Sequence, residues 1–71
     1  MEITFVTVGS FGIFRYCKVL LPDDIHTVED LIQYARVHSV CEVEDKIFRP
    51  LRSEEVLNTR KDYALIFSVN V

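Results

Sequence analysis

One sustained stretch of this chain spaces its apolar residues as a helix does. Val28, Leu31, Ile32 and Ala35 fall at i, i+3, i+4 and i+7, the stripe of an amphipathic helix lying on another layer. The runs on either side read with period two, so the sequence allows one principal helix, and that helix must cover a face of a sheet. Thr27 is the expected N-cap. Asp30, three residues on, completes a box-like arrangement beside Glu29, and both acids suit the positive start of a helix. Glu29, Gln33, Arg36 and His38 take the solvent side. The helix is predicted to end near Ser39, because Val40-Cys41-Glu42-Val43 no longer keeps its period.

The rest of the chain leans toward strand. Twenty of the 71 residues are Val, Ile or Thr, which fit a pleated, half-buried surface. Met1 to Val8 alternates, with Met1, Ile3 and Phe5 on one face and Glu2, Thr4, Val6 and Val8 on the other. Gly9-Ser10-Phe11-Gly12 supplies two glycines for a hairpin turn. A second strand follows from Ile13 to Leu21 and is stopped by Pro22. Cys17, Val19 and Leu21 are its expected core face and Tyr16, Lys18 and Leu20 the other, a parity that a bulge near Pro22 would reverse. A third strand is predicted from Val43 to Arg49. Ser53 to Leu57 reads as a short helical turn or a bent connection. Tyr63 to Val71 is the last strand, with Leu65, Phe67, Val69 and Val71 on one face and Ile66, Ser68 and Asn70 on the other.

A chain of 71 residues buries only about 60% of its unfolded surface, so it makes one domain in which nearly every apolar residue is needed. The expected class is α+β, a mixed four- to five-stranded sheet with one helix packed across one face, in the order β-β-α-β-β. The first and last strands are strongly apolar and are most simply placed parallel at the centre, which is the β-grasp architecture.

Charge and motif content narrow the function classes. A net charge of −3 with a pI near 5.2 argues against nucleic acid, which calls for a clustered positive face. No apolar run approaches the ~18 residues of a membrane span, and the first residues lack a basic, apolar leader. Cys17 and Cys41 cannot make a zinc site alone and read as reduced, half-buried residues of a cytoplasmic protein. His26 and His38 lie at opposite ends of the helix, too far apart to share a metal. No serine or cysteine sits in a nucleophile motif. The expectation is a non-enzyme with no cofactor, no metal and no small-molecule substrate.

Several segments resemble ubiquitin in order. Met-Glu-Ile-Thr-Phe-Val resembles its first strand, and Leu20-Leu21-Pro22 with Thr27-Val28-Glu29-Asp30-Leu31-Ile32 its second strand and helix start. Lys46-Ile47-Phe48 and Lys61-Asp62-Tyr63-Ala64-Leu65-Ile66-Phe67-Ser68-Val69 are similar to its third and last strands. The resemblance implies a ubiquitin-like domain over residues 1–71, here expected to be the N-terminal domain of a longer protein. The chain departs from ubiquitin in a shorter connection before the last strand and in ending Val69-Asn70-Val71 without Gly-Gly. A modifier or sulfur carrier whose glycine tail is absent from this chain is therefore a lesser alternative. Ser53-Glu54-Glu55-Val56-Leu57 resembles the end of the acidic motif in Phox/Bem-type interaction domains, and the short chain also suits Dishevelled/Axin-type domains.

Two candidate surfaces follow. The first is apolar: Val6, Val8, Ile47 and Ile66 are predicted to share the sheet face opposite the helix, with Phe11 and Ile13 at the hairpin tip. Ile47 and Ile66 are similar in position to ubiquitin's recognition patch. An uncovered apolar face on a small domain marks a protein partner. The competing reading is that Phe11 and Phe14 fold back over the core and the valines are scattered. The second is charged: Arg15 and Lys18 facing Glu54 and Glu55 of the next molecule would give a head-to-tail, self-associating oligomerisation domain.

Overall fold

The computed structural model describes residues 1–67. Five strands and one helix run in the order β1 (Glu2–Val8), β2 (Phe14–Leu20), α1 (Val28–Ala35), β3 (Ser39–Glu44), β4 (Ile47–Pro50) and β5 (Asp62–Ile66). The fold is α+β, with one mixed sheet in the order β2-β1-β5-β3-β4. β1 and β5 are the parallel pair, with Phe5 beside Tyr63, and the other three pairings are antiparallel. This sheet and single helix are compatible with the expected architecture.

Helix α1 begins as the sequence predicts. The Asp30 N–H donates to Thr27 Oγ1 at 3.2 Å, and the Thr27 N–H donates back to Asp30 Oδ2 at 3.1 Å, so the box satisfies amides that no helical carbonyl reaches. The helix is shorter than expected. Arg36 turns left-handed (φ 57°), a costly conformation for a side-chain-bearing residue, and the chain enters β3 at Ser39. Four consecutive residues of β3, Val40 to Val43, are buried. A strand covered on both faces does not alternate, which is why it cannot be told from a fraying helix end by period.

The expected third strand, Val43 to Arg49, is corrected to a hairpin. Val43 faces Phe48 and Glu44 faces Ile47, and the two-residue turn Asp45-Lys46 takes φ 51° and 64°. Such a turn is normally announced by Asn-Gly or Asp-Gly, and Asp-Lys hides it. The Gly9–Gly12 turn also differs: Ser10–Gly12 form one tight helical turn, with Phe11 (φ 63°) and Gly12 (φ 72°) left-handed and Gly9 not.

The main core lies between α1 and the sheet. Ile3, Phe5, Val40 and Tyr63 meet Val28 and Leu31 there, joined by Leu21, Ile25, Val37 and Leu57. Leu65 packs against this core but is half-buried. The connection 51–61 is neither helix nor free loop. The Val28 N–H donates to Glu55 O and the Glu29 N–H to Ser53 O, both at 2.9 Å, and the Leu57 N–H donates to His26 O at 2.8 Å. Tyr63, 1% exposed, accepts the Asn58 N–H at its hydroxyl, 2.8 Å away. That ties the loop to β5.

On β2 the expected parity holds, since Cys17 faces Phe5 and Val19 faces Ile3. The helix does not reach this edge, however, so Cys17 is exposed while Cys41 is buried. Phe67 is exposed rather than core-facing and falls after β5. The expected faces of Ser68, Val69, Asn70 and Val71 lie outside the described residues.

Candidate functional site

The far face of the sheet, away from α1, is built by register. Residues directly opposite in antiparallel pairs share a face, so Val6 and Val8 on β1, Cys41 and Val43 on β3, Phe48 on β4, and Ala64 and Ile66 on β5 all point to it. Val6, Val43 and Ala64 form a small second core, closed by Phe14 from β2. The sheet coils so strongly that its two edge strands meet over this face. The Phe14 and Phe48 rings stand 5.9 Å apart between centroids at 46°, a separation suited to an aromatic pair. Lys46 Nζ lies 5.7 Å from the Phe14 ring centroid.

Beside this pair runs an apolar groove of about 380 Å³, lined among others by Val6, Val8, Phe48, Ala64, Ile66 and Phe67. Val8 is 50% exposed and Ile66 39%. Val6, by contrast, forms the floor of the groove and is buried. Phe11, at the hairpin tip that continues β1, is 99% exposed, and Ile13 is exposed as well. Neither folds back over the core, whereas Phe14 does cover the second cluster.

Ile47 does not belong to this surface. It faces Glu44 on the helix side of the sheet, where it is 69% exposed beside Glu42, Glu44, Asp45 and Arg49. The shift by one residue follows from the Asp45-Lys46 hairpin, which puts Phe48 on the face expected for Ile47. About that turn Val43 matches Phe48 and Glu42 matches Arg49, but Glu44 meets Ile47, so the sequence carries only part of a mirror pattern. Phe67, expected on the core face of a strand running from Tyr63 to Val71, follows the end of β5 at Ile66 and lines the groove instead.

The charged candidates do not assemble. Arg15 faces Thr7 and Lys18 faces Thr4, so they lie on opposite faces of β2, as any two strand residues three apart must. Glu55 Oε2 accepts the Arg52 N–H at 2.9 Å, and Glu54 Oε2 accepts the Ser53 hydroxyl at 3.4 Å, so both carboxylates bond within their own loop.

Among the described residues the one buried acid is Glu42, on the helix side of β3. Its Oε1 accepts from Arg49 Nη2 and, at 3.4 Å, from Lys61 Nζ. The Arg49 hydrogen bond holds its carboxyl below the usual range against the opposing effect of burial, as expected for a buried charge that keeps its partners. The Asp30 carboxyl is likewise lowered, first by the His26 N–H and then by that of Thr27. These acids serve the fold. Among the described residues no group of three or more His, Cys, Asp or Glu could hold a metal ion, and no helix is long and apolar enough to cross a membrane. The chain matches no family profile, no curated protein and no solved structure.

Proposed function

We propose that the chain is a non-catalytic interaction domain of the ubiquitin-like, β-grasp type, which takes an apolar segment of a protein partner on the far face of its sheet. The observation that carries this reading is the groove along β1 and β5, with Val8, Ile66 and Phe67 open to solvent and Phe48 at its side. Four large apolar residues, Val8, Phe48, Ile66 and Phe67, are left exposed there, beside a tip whose Phe11 is wholly exposed. Aromatic residues ringing a desolvated apolar floor are the composition of interface hot spots. The β-grasp assignment is supported by the parallel pairing of the first and last strands and by α1 across one face. The charged head-to-tail alternative lacks such support, because its basic residues do not share a face.

The test is photo-crosslinking from cell extract with benzoylphenylalanine at Val8, compared with the same label at Glu29 on the solvent side of α1. Proteins trapped from Val8, absent from Glu29, and lost when Ile66→Asp is added are the expected result. The same set trapped from both positions overturns the reading.

A further inference from the structure

The hairpin tip between β1 and β2 carries a side chain that the fold does not use. Phe11 is 99% exposed, and its backbone is left-handed at φ 63° and ψ 20°, a conformation that is costly for any residue with a Cβ and an outlier for a bulky one. Glycine fills such a position without strain, so the phenylalanine is held there at a cost that no contact within its own chain offsets. Strain of this kind points to a contact made outside the fold. The tip directly continues β1, whose Val8 walls the apolar groove. The described residues that line the groove are all uncharged, and so is every residue from Ile3 to Phe14. With a net charge of −3 on each chain, two copies repel one another over most of their surface, and the tip and groove are free of that repulsion.

We propose that two copies of this chain pair far face to far face about a two-fold axis beside Val8, each placing Phe11 of its hairpin tip in the groove of the other. The inference rests on the far-face reading and names its partner. Val8 lies between the groove floor at Val6 and the tip at Phe11, so a two-fold operation beside it carries each tip over the other copy's floor, and every contact is made twice. The exposed area is sufficient. Val8, Phe11, Ile13, Phe48, Ile66 and Phe67 are all exposed. Weighting each by its exposure, with about 200 Å² for a whole phenylalanine, gives roughly 600 Å² per copy. Covering it on both copies removes about 1,200 Å² from solvent, the lower end of a specific interface and the size of a weak dimer. A foreign partner would have to bring its own knob for the groove and a second pocket for Phe11. A second copy supplies both, and that selects it as the occupant.

Sedimentation of the 71-residue chain between about 10 μM and 1 mM is expected to show a monomer–dimer equilibrium and nothing larger. The contact is apolar, so raising NaCl from about 0.05 to 1 M should leave dimerisation unchanged or tighten it, whereas charged pairing would weaken. Phe11→Ser and Ile66→Asp each remove a contact twice by symmetry and should each weaken dimerisation at least about tenfold. Both residues are exposed, so circular dichroism should not change. Mixing the two variants is the decisive step. The Phe11→Ser copy keeps its groove and the Ile66→Asp copy keeps its tip, so the mixed pair retains one of the two contacts and should form several-fold more tightly than either variant with itself. A wild-type chain that stays monomeric throughout the range, a mass that grows past the dimer, or a mixture no tighter than its components overturns the inference. If a variant misfolds, NMR on wild type decides: the Phe11 ring and the Val8 and Ile66 methyl resonances moving together as concentration rises supports the pairing, and a stationary Phe11 ring refutes it. Such a failure leaves the far-face reading to its own test, since that reading falls only when Val8 and Glu29 trap the same proteins.

Discussion

The Phe14–Phe48 ring contact joins the two sheet edges over the far face, and its loss should be measurable. Phe14 is half-buried and closes over Val6, Val43 and Ala64, so Phe14→Ala removes three things. The tilted ring pair with Phe48 is worth about 0.5–1.5 kcal/mol beyond burial. The Lys46 ammonium near the ring adds about 0.5 kcal/mol at so exposed a site. Uncovering the small cluster adds a hydrophobic loss below that of a fully buried ring, for which the whole truncation costs about 3–5 kcal/mol. The expected total is about 2 kcal/mol, a fall in Tm of roughly 10 °C for a domain of this size. A double-mutant cycle with Phe48→Ala in urea isolates the pair, and the predicted coupling is about 1 kcal/mol. A coupling below about 0.3 kcal/mol, with Phe14→Ala costing no more than the ~0.5 kcal/mol of an ordinary surface change, would falsify the self-covered face.

Other predictions concern the core, the buried acid and a helix end. Leu31, 1% exposed, should cost about 3–4 kcal/mol on truncation to Ala and half-buried Leu65 clearly less; equal small losses in urea titrations would mean that α1 does not seat on the sheet as described. Glu42 has a lowered folded-state pKa, so its contribution is complete above the ordinary glutamate value of 4.5 and is lost as pH falls through the lower folded value. Glu42→Gln should therefore flatten the acid limb of stability against pH, and an unchanged limb contradicts the pairing with Arg49 and Lys61. Arg36→Gly relieves a left-handed side-chain-bearing cap and should raise stability by about 1 kcal/mol, read as a higher urea midpoint at constant m; a lower midpoint contradicts it.

The sequence displayed the parts of the fold whose signals are local. The Thr27–Asp30 box fixed the helix start, Met1 to Val8 alternated cleanly, and Pro22 bounded β2. It concealed the parts decided by tertiary cover. Val40 to Val43 is buried on both faces and so lost the alternation that marks a half-buried strand. The Asp45-Lys46 turn carries no glycine, although both residues are left-handed, so β3 and β4 merged into one strand with the faces shifted by a residue. The candidate surface inherited that shift. Val8 and Ile66 were legible because their strands alternate, whereas Ile47 stood in for Phe48. The role of Phe14 depends on the coiling of the sheet, which no window of residues contains. The failure of Arg15 and Lys18 to form one patch, by contrast, was already legible, because three residues along a strand always reverse the face.

In the proposed function the far face, rather than the charged edges or the helix side, carries recognition. The direct measurement is the affinity of a protein trapped at Val8 for Ile66→Asp and Ile47→Asp, by titration calorimetry on folded variants. Both isoleucines are exposed, so both variants should keep the wild-type circular dichroism and melt within a few degrees of it. Ile66→Asp desolvates a carboxylate in the groove and should weaken binding by about 2 kcal/mol, roughly 30-fold. Ile47→Asp, on the opposite side of the sheet, should bind as wild type. Wild-type affinity in Ile66→Asp, with the loss appearing instead in Ile47→Asp or on reversing Arg15 and Lys18, contradicts the account.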